Sequence, residues 1–133
     1  MVFVQSTPQT YVNALKAENV EWPVKYDDIM PYESDPNWFW SGFFSSRPAF
    51  KKQVKDSSAI LSAHSKIFAR KVIDQRASDE EIKQSIDATQ DMLDSMGIAQ
   101  HHDAITGTAN QWVANDYSAR LSKSIHNSRA VYN

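Results

Sequence analysis

Apolar positions follow a helical rhythm over most of the chain. From Arg47 onward, Phe50, Val54, Leu61, Phe68 and Val72 recur at three- and four-residue steps, or sums of them. Ser57 and His64 stand in the same register, with Ile60 and Ile67 beside them. One apolar face at that spacing predicts a helix over 47–75. Ser46 is its expected N-cap, and Pro48 lies in the first turn, where a missing N–H costs nothing. Ser78-Asp79-Glu80-Glu81 then forms a capping box, with serine at the cap and glutamate at the third helical position. It opens a helix expected over about 79–99, with Ile82, Ile86, Leu93 and Met96 turned inward. A last helix is expected over about 108–130, capped by Thr108 and carrying Val113, Tyr117, Leu121 and Ile125 on one face.

The chain before Arg47 reads differently. Segment 6–18 predicts a short helix, with Ser6 or Thr7 as cap, Pro8 at its start, and Tyr11, Val12 and Leu15 sharing a face. Residues 19–48 hold Pro23, Pro31, Pro36 and Pro48 together with Trp22, Trp38 and Trp40. Segment 19–45 therefore predicts an extended, aromatic-rich loop with one helical turn near Pro36–Trp40. A loop this long in a compact domain is more often functional or packed on a neighbour. Proline is absent after Pro48, as long helices require. The expected fold class is all-α: an antiparallel three-helix bundle with an N-terminal short helix and an aromatic-rich extended segment. No internal repeat or low-complexity tract is visible.

Composition narrows the function. The 133 residues fit one domain and can bury one real core. A net charge of −2 gives no basic excess for a nucleic-acid partner. No apolar run approaches the ~20 residues of a membrane span. Cysteine is absent, which removes disulfides and thiolate metal sites. The three glycines are too far apart for a phosphate-cradling loop. Met1 to Gln5 lack the basic start and apolar core of a secretory signal, so the chain is expected either to stay where it is made or to be a piece of something longer. No Asn-x-Ser/Thr acceptor occurs; Asn127-Ser128-Arg129 fails at its third position.

Three clusters could carry chemistry. Gln100-His101-His102-Asp103 lies at the junction of the last two helices, and imidazoles with a carboxylate are good zinc ligands. On a helix, however, neighbours point ~100° apart, so His101 and His102 cannot both grip one metal while helical. Positions three and four away from His102 (Ile98, Ala99, Ile105, Thr106) offer no strong ligand, and His64 and His126 stand alone. The chain can offer one histidine, with Asp103 beside it, and the remaining ligands must come from elsewhere. A second reading stays open at this level: imidazoles facing a helix C-terminus and an aspartate bonding turn amides. Asp27-Asp28 forms the next cluster, but adjacent residues of an extended chain point to opposite faces, which favours an Asx turn over acid–base work. Trp38, Phe39, Trp40, Phe43 and Phe44 form the third; most are expected in the core, closing the end of the bundle, while one exposed ring would suffice to stack on a sugar.

Taken together, several stretches resemble glycoside hydrolase family 38, the α-mannosidases, most closely the lysosomal, acid type. They are Trp22-Pro23-Val24-Lys25-Tyr26-Asp27-Asp28, then Phe39-Trp40-Ser41-Gly42-Phe43-Phe44-Ser45-Ser46-Arg47-Pro48, then Gln100 to Thr108, then Val113-Ala114-Asn115-Asp116-Tyr117. The resemblance runs in order from Ser6 to about Leu121, and Ser45 in place of a usual threonine is a mild departure. It implies that residues 1–45 are the tail end of a catalytic α/β domain and 46–133 the middle three-helix bundle. It implies retaining hydrolysis of terminal α-D-mannose from glycans, with one zinc per complete enzyme. His102 matches the zinc-binding histidine of the bundle, Asp103 a carboxylate that hydrogen-bonds mannose hydroxyls, Trp40 an aromatic beside the sugar, and His101 a neighbour that supports the loop. The nucleophile, the acid/base and the other zinc ligands would lie in a barrel that this chain does not contain. A retaining mechanism needs two carboxyl groups about 5 Å apart, and no credible pair is present here. The expected partners are mannose-containing glycans and the missing catalytic barrel, with no nucleic acid and no membrane. The resemblance places the parent in lysosome or vacuole, and the chain by itself is expected to be inert. The alternative is a stand-alone helical interaction module. A torn-off bundle should expose a large apolar patch including the 38–44 aromatics, whereas a solitary module should have it covered or paired in a dimer. A third possibility, a metal site assembled from His102 of several copies, predicts zinc-dependent oligomers.

Overall fold

The computed structural model describes residues 3–129; Met1, Val2 and the stretch 130–133, which the expected last helix and bundle boundary reach into, lie outside the described residues. By internal contacts the chain divides into two units, Met1–Tyr32 and Glu33–Asn133. In the first, α1 spans Pro8–Ala17. Thr7 caps it, its hydroxyl accepting from Thr10 N at 3.2 Å, with Pro8 at the start. Of its apolar face Tyr11 and Val12 are exposed and Leu15 is half-buried; no residue of α1 is fully buried. Asp28 Oδ1 accepts from Met30 N at 3.2 Å, an Asx turn, while Asp27 pairs with Lys25 at 3.6 Å.

The second unit holds three long helices: α2 (Pro48–Ile73), α3 (Asp79–Ala99) and α4 (Gln111–Ser128). Helices α3 and α4 run antiparallel, since Ser95 meets Arg120 while Asp91 meets Asn127. Helix α4 runs with α2, since Arg47 meets Ala109 while Gln53 meets Ser118 and Ser122. The core joins Phe50, Val54, Ala99, Ala104 and Leu121, with Met96, Ile105 and Tyr117 packed against it. Phe50 and Tyr117 place their rings 6.3 Å apart across the α2–α4 interface.

The capping box of α3 forms as the sequence predicts. Glu81 N donates to Ser78 Oγ at 3.3 Å, and Ser78 N donates to Glu81 Oε2 at 2.8 Å. Three acidic residues in the first turn face the positive end of the helix dipole.

Four expectations are corrected. The inward face of α3 is Ser85, Ala88, Met92 and Ala99, whereas Ile86 and Leu93 remain 54% and 50% exposed. Small side chains let the helices approach closely, and their hydroxyls are satisfied locally. Ser57 Oγ donates to Gln53 O (2.7 Å), Ser124 Oγ to Leu121 O (3.0 Å) and Ser128 Oγ to Ile125 O (2.8 Å). Helix α4 starts three residues after the expected cap, at Gln111 with Asn110 as N-cap, because Thr108 is engaged elsewhere. The N-cap of α2 is Arg47, not Ser46, in the left-handed region with φ 49°. Finally, the single turn of helix in the aromatic segment lies at Gly42–Phe44, a 3-10 turn, while Glu33 and Phe39 form a β-bridge around a turn at Pro36–Asn37.

His64 is a core residue of α2. Its Nε2 reaches Ser85 O of α3 at 3.3 Å, so that nitrogen carries the proton.

Candidate functional site

The segment between α3 and α4 bears the polar cluster. Helix α3 ends at Ala99 and Gln100 caps it, so His101, His102 and Asp103 already lie in a turn. The ~100° divergence of helical neighbours no longer applies there. The imidazole rings instead lie 4.4 Å apart at 31°, and one ligand atom from each of the three residues lies within 4.8 Å of the others.

The three residues are not equivalent. His101 Nδ1 accepts from Asp103 N at 3.1 Å. Its lone pair is therefore committed, and the neutral ring carries its proton on Nε2. The His102 side chain is 84% exposed, with Nε2 3.6 Å from Asp103 Oδ2. Asp103 Oδ1 accepts from the Thr108 hydroxyl at 2.6 Å. That hydroxyl, followed by the imidazoles of His102 and His101, holds the Asp103 carboxyl below the usual aspartate range against the opposing effect of desolvation. The result is an anionic acceptor of fixed orientation beside an exposed imidazole.

Backbone bonds shape the loop around them. Thr108 N and Ala109 N both donate to Asp103 O at 3.1 Å, and Gly107 N donates to Ala104 O at 2.9 Å. Thr106 Oγ1 donates to His102 O. Gly107 adopts φ +76°, and a Cβ there would stand 2.7 Å from Ser46 O. Two cations from the start of α2 reach the loop. Lys51 Nζ donates to Ile105 O and to Ser46 O, each at 2.7 Å. Arg47 Nη1 donates to Ala109 O at 2.6 Å.

Thus the fold brings His102 and Asp103 together, and the Asp27-Asp28 pair is accounted for by local turn bonding. Trp40 is anchored by its own contact, Nε1 donating to Ser34 Oγ at 2.8 Å, and the residue is 56% exposed. The expectation that most of the aromatic cluster closes the core does not hold. Trp38, Phe39, Trp40 and Phe44 are all exposed, and Phe43 is half-buried, because Phe50, Tyr117 and the small buried residues already fill the bundle. Sequence reasoning missed Lys51 and Arg47 as supports of the loop and assigned Thr108 to a helix cap.

As a metal-binding set, His102 and Asp103 present at most two of the four donors that zinc takes, with His101 already committed. They suit one part of a shared centre. The described residues contain no helix long and apolar enough to cross a membrane.

No solved structure matches the chain. An alpha-mannosidase of Arabidopsis thaliana is 48% identical over 118 residues, covering 88% of this chain and 11% of that protein. The lysosomal alpha-mannosidase of Dictyostelium discoideum is 41% identical over 117 residues, covering 88% and 11%. The human lysosomal alpha-mannosidase is 38% identical over 116 residues, covering 87% and 11%. The chain thus spans about a tenth of the length of the curated relatives it matches. The alpha-mannosidase middle domain matches residues 38–133, which hold the 38–44 aromatics, all three bundle helices and the His102–Asp103 turn, and the chain belongs to that family.

Proposed function

We propose that this chain is the middle portion of a zinc-dependent retaining α-mannosidase that removes terminal α-D-mannose from glycans. Residues 1–45 close the catalytic α/β domain and 46–133 form the bundle beside it. His102 supplies one zinc ligand, and Asp103 accepts hydrogen bonds from mannose hydroxyls. Trp40 offers an aromatic face to the sugar ring. When bound, zinc would hold hydroxyls of that same sugar. The parent enzyme works in lysosome or vacuole; the Dictyostelium and human relatives are named lysosomal, which supports the first of these.

The observation that carries the reading is the exposed His102 imidazole 3.6 Å from a carboxylate that Thr108 keeps ionised and aimed. An ionised carboxylate accepts hydroxyl donors strongly, and a neutral imidazole is a common zinc ligand. With one zinc ligand, His102, and no credible carboxyl pair for a retaining mechanism among the described residues, the chain is inert alone. The interaction-module alternative predicts this aromatic face covered or paired in a dimer; Trp38 and Trp40 are 71% and 56% exposed in the single chain, so a monomer in solution would favour the fragment reading and a dimer the module.

Two measurements test this. After chelation and dialysis against micromolar zinc, neither the chain nor His102→Ala should retain stoichiometric metal. Stoichiometric zinc that His102→Ala removes would sink the shared-site reading. Next, residues 38–133 would replace the matching stretch of the Dictyostelium enzyme. That chimera should hydrolyse an aryl α-mannoside, and His102→Ala within it should lose both zinc and activity. An active chimera indifferent to His102→Ala would exclude the role given to this histidine.

A further inference from the structure

The turn that carries His102 and Asp103 has a shape and a place, and different bonds set each. Its shape comes from bonds within it: Thr108 N and Ala109 N to Asp103 O, Gly107 N to Ala104 O, and Ala104 N to His101 O. None of these says where the turn stands on the bundle. Its place is set at the start of α2. Lys51 Nζ grips Ile105 O and Ser46 O at the same 2.7 Å, joining two stretches of chain that lie far apart in sequence. Ile105 lies two residues after Asp103, and Ser46 directly follows the aromatic segment and its 3-10 turn.

Both Lys51 partners are carbonyl oxygens, so the ammonium acts as a bracket between two backbones and not as half of a surface ion pair. Burial pushes the lysine below its usual range. Charge-assisted hydrogen bonds in such partly dry surroundings are stronger than neutral ones. The approach is close elsewhere too: Gly107 leaves no room for a Cβ against Ser46 O, the same oxygen that Lys51 holds. Ser46 O is therefore the point against which the turn is seated.

We infer that Lys51 is a positioning residue for His102 and Asp103: by bracketing Ile105 O to Ser46 O it fixes where that pair stands relative to Ser46 and the start of α2. The inference rests on reading the pair as part of a zinc and sugar site. Lys51 touches neither residue, and its influence runs through the turn backbone.

Amide hydrogen exchange of the chain, followed by NMR without zinc or sugar, tests it. Lys51→Met keeps most of the apolar stem and removes the donors, whereas Lys51→Arg keeps charge and donors. A turn released from its seat on Ser46 opens more often, and opening breaks its internal bonds, so in Lys51→Met the amides of Thr108 and Ala109 should exchange at least about tenfold faster, the size expected for losing a charge-assisted bond. Val54 and Met92 amides, in the helices, should keep their rates, and Lys51→Arg should recover most of the lost protection. If Lys51→Met does not fold, Lys51→Gln, which retains an amide donor, carries the same comparison. Unchanged exchange at Thr108 and Ala109 would overturn the inference. So would equal acceleration at Val54 and Met92, since the ammonium would then be holding the bundle and not the turn. The two readings can fail separately. Stoichiometric zinc at His102 of the isolated chain would overturn the shared site and leave this comparison standing, and an unresponsive turn would remove Lys51 from the site without touching the zinc result.

Discussion

Thr108 satisfies Asp103 twice: its hydroxyl donates to the carboxylate at 2.6 Å and its amide donates to the carbonyl of the same residue at 3.1 Å. A residue placed to cap a helix instead closes the turn in front of it. The consequence is electrostatic, because a hydroxyl that donates to the ionised form stabilises that form.

Thr108→Val keeps the shape and removes the donor. The Asp103 carboxyl should then rise toward the ordinary aspartate range, read by carbon NMR of the side-chain carboxyl against pH. The folded-state value is depressed, so the stability this contact adds is present above the ordinary carboxylate range and fades as pH falls through the folded value. Thr108→Ser should behave as the unmodified chain. An Asp103 titration identical in Thr108→Val would mean that the hydroxyl does not set it.

Gly107 is required for two separate reasons. Its φ of +76° is left-handed, which costs a residue with a Cβ roughly 1–2 kcal/mol. The added carbon would also stand 2.7 Å from Ser46 O, a backbone atom that cannot swing aside as a side chain can. Gly107→Ala should therefore cost more than the conformational term alone, about 2 kcal/mol or above in urea unfolding. Resonances of Ser46 and Lys51 should shift with it. A loss under about 0.5 kcal/mol would show that the seat on Ser46 is loose.

The capping box predicts an acid-side signature. Hydrogen bonds from the Ser78 backbone and hydroxyl, with a smaller contribution from Lys71, hold Glu81 below the usual glutamate range. A depressed carboxylate stabilises above its unfolded value of ~4.3 and loses that contribution as pH falls through the folded value. Glu81→Gln should flatten this part of the melting-temperature profile while leaving the neutral-pH fold intact. Ser78→Ala should cost about 1 kcal/mol at pH 7. A profile with the same acid slope in Glu81→Gln would place the titration elsewhere.

The helices were legible because their signals are local. The capping box, the proline-led starts and the run from Phe50 to His64 need only a few residues of context. The inward face of α3 was not, because Ser85 and Ala88 pack closely without looking apolar, while Ile86 and Leu93 look apolar and stay outside. The histidine cluster drew attention through its composition and through resemblance. Its committed and uncommitted members separate only once His101 Nδ1 is seen to take the Asp103 amide. Lys51 gave no signal at all. A lone lysine on a helix reads as solvated, and only the fold brings it to a carbonyl 54 positions away.

Arg47 carries a local conflict that a mutant series can separate. It stands directly before Pro48, which disfavours right-handed helical backbone at the preceding residue. Here the chain takes φ 49° and ψ 62°, a region that favours glycine. The side chain gives a reason to keep arginine: Nη1 donates to Ala109 O at 2.6 Å and Nη2 reaches Gln111 Oε1 at 3.4 Å, tying the start of α2 to the start of α4. Arg47→Gly removes both the strain and the tie, and Arg47→Ala removes the tie alone. Unfolding free energies should rank the alanine variant lowest. It should fall below arginine by about 1.5–3 kcal/mol, the size of a hydrogen bond to a charged group. It should fall below glycine by about 1–2 kcal/mol, the cost of left-handed backbone. The two losses nearly offset in the glycine variant, which should therefore come close to the unmodified chain in stability while its Ala109 and Gln111 resonances move. Alanine and arginine of equal stability would show that the guanidinium bridges the two helices without stabilising them.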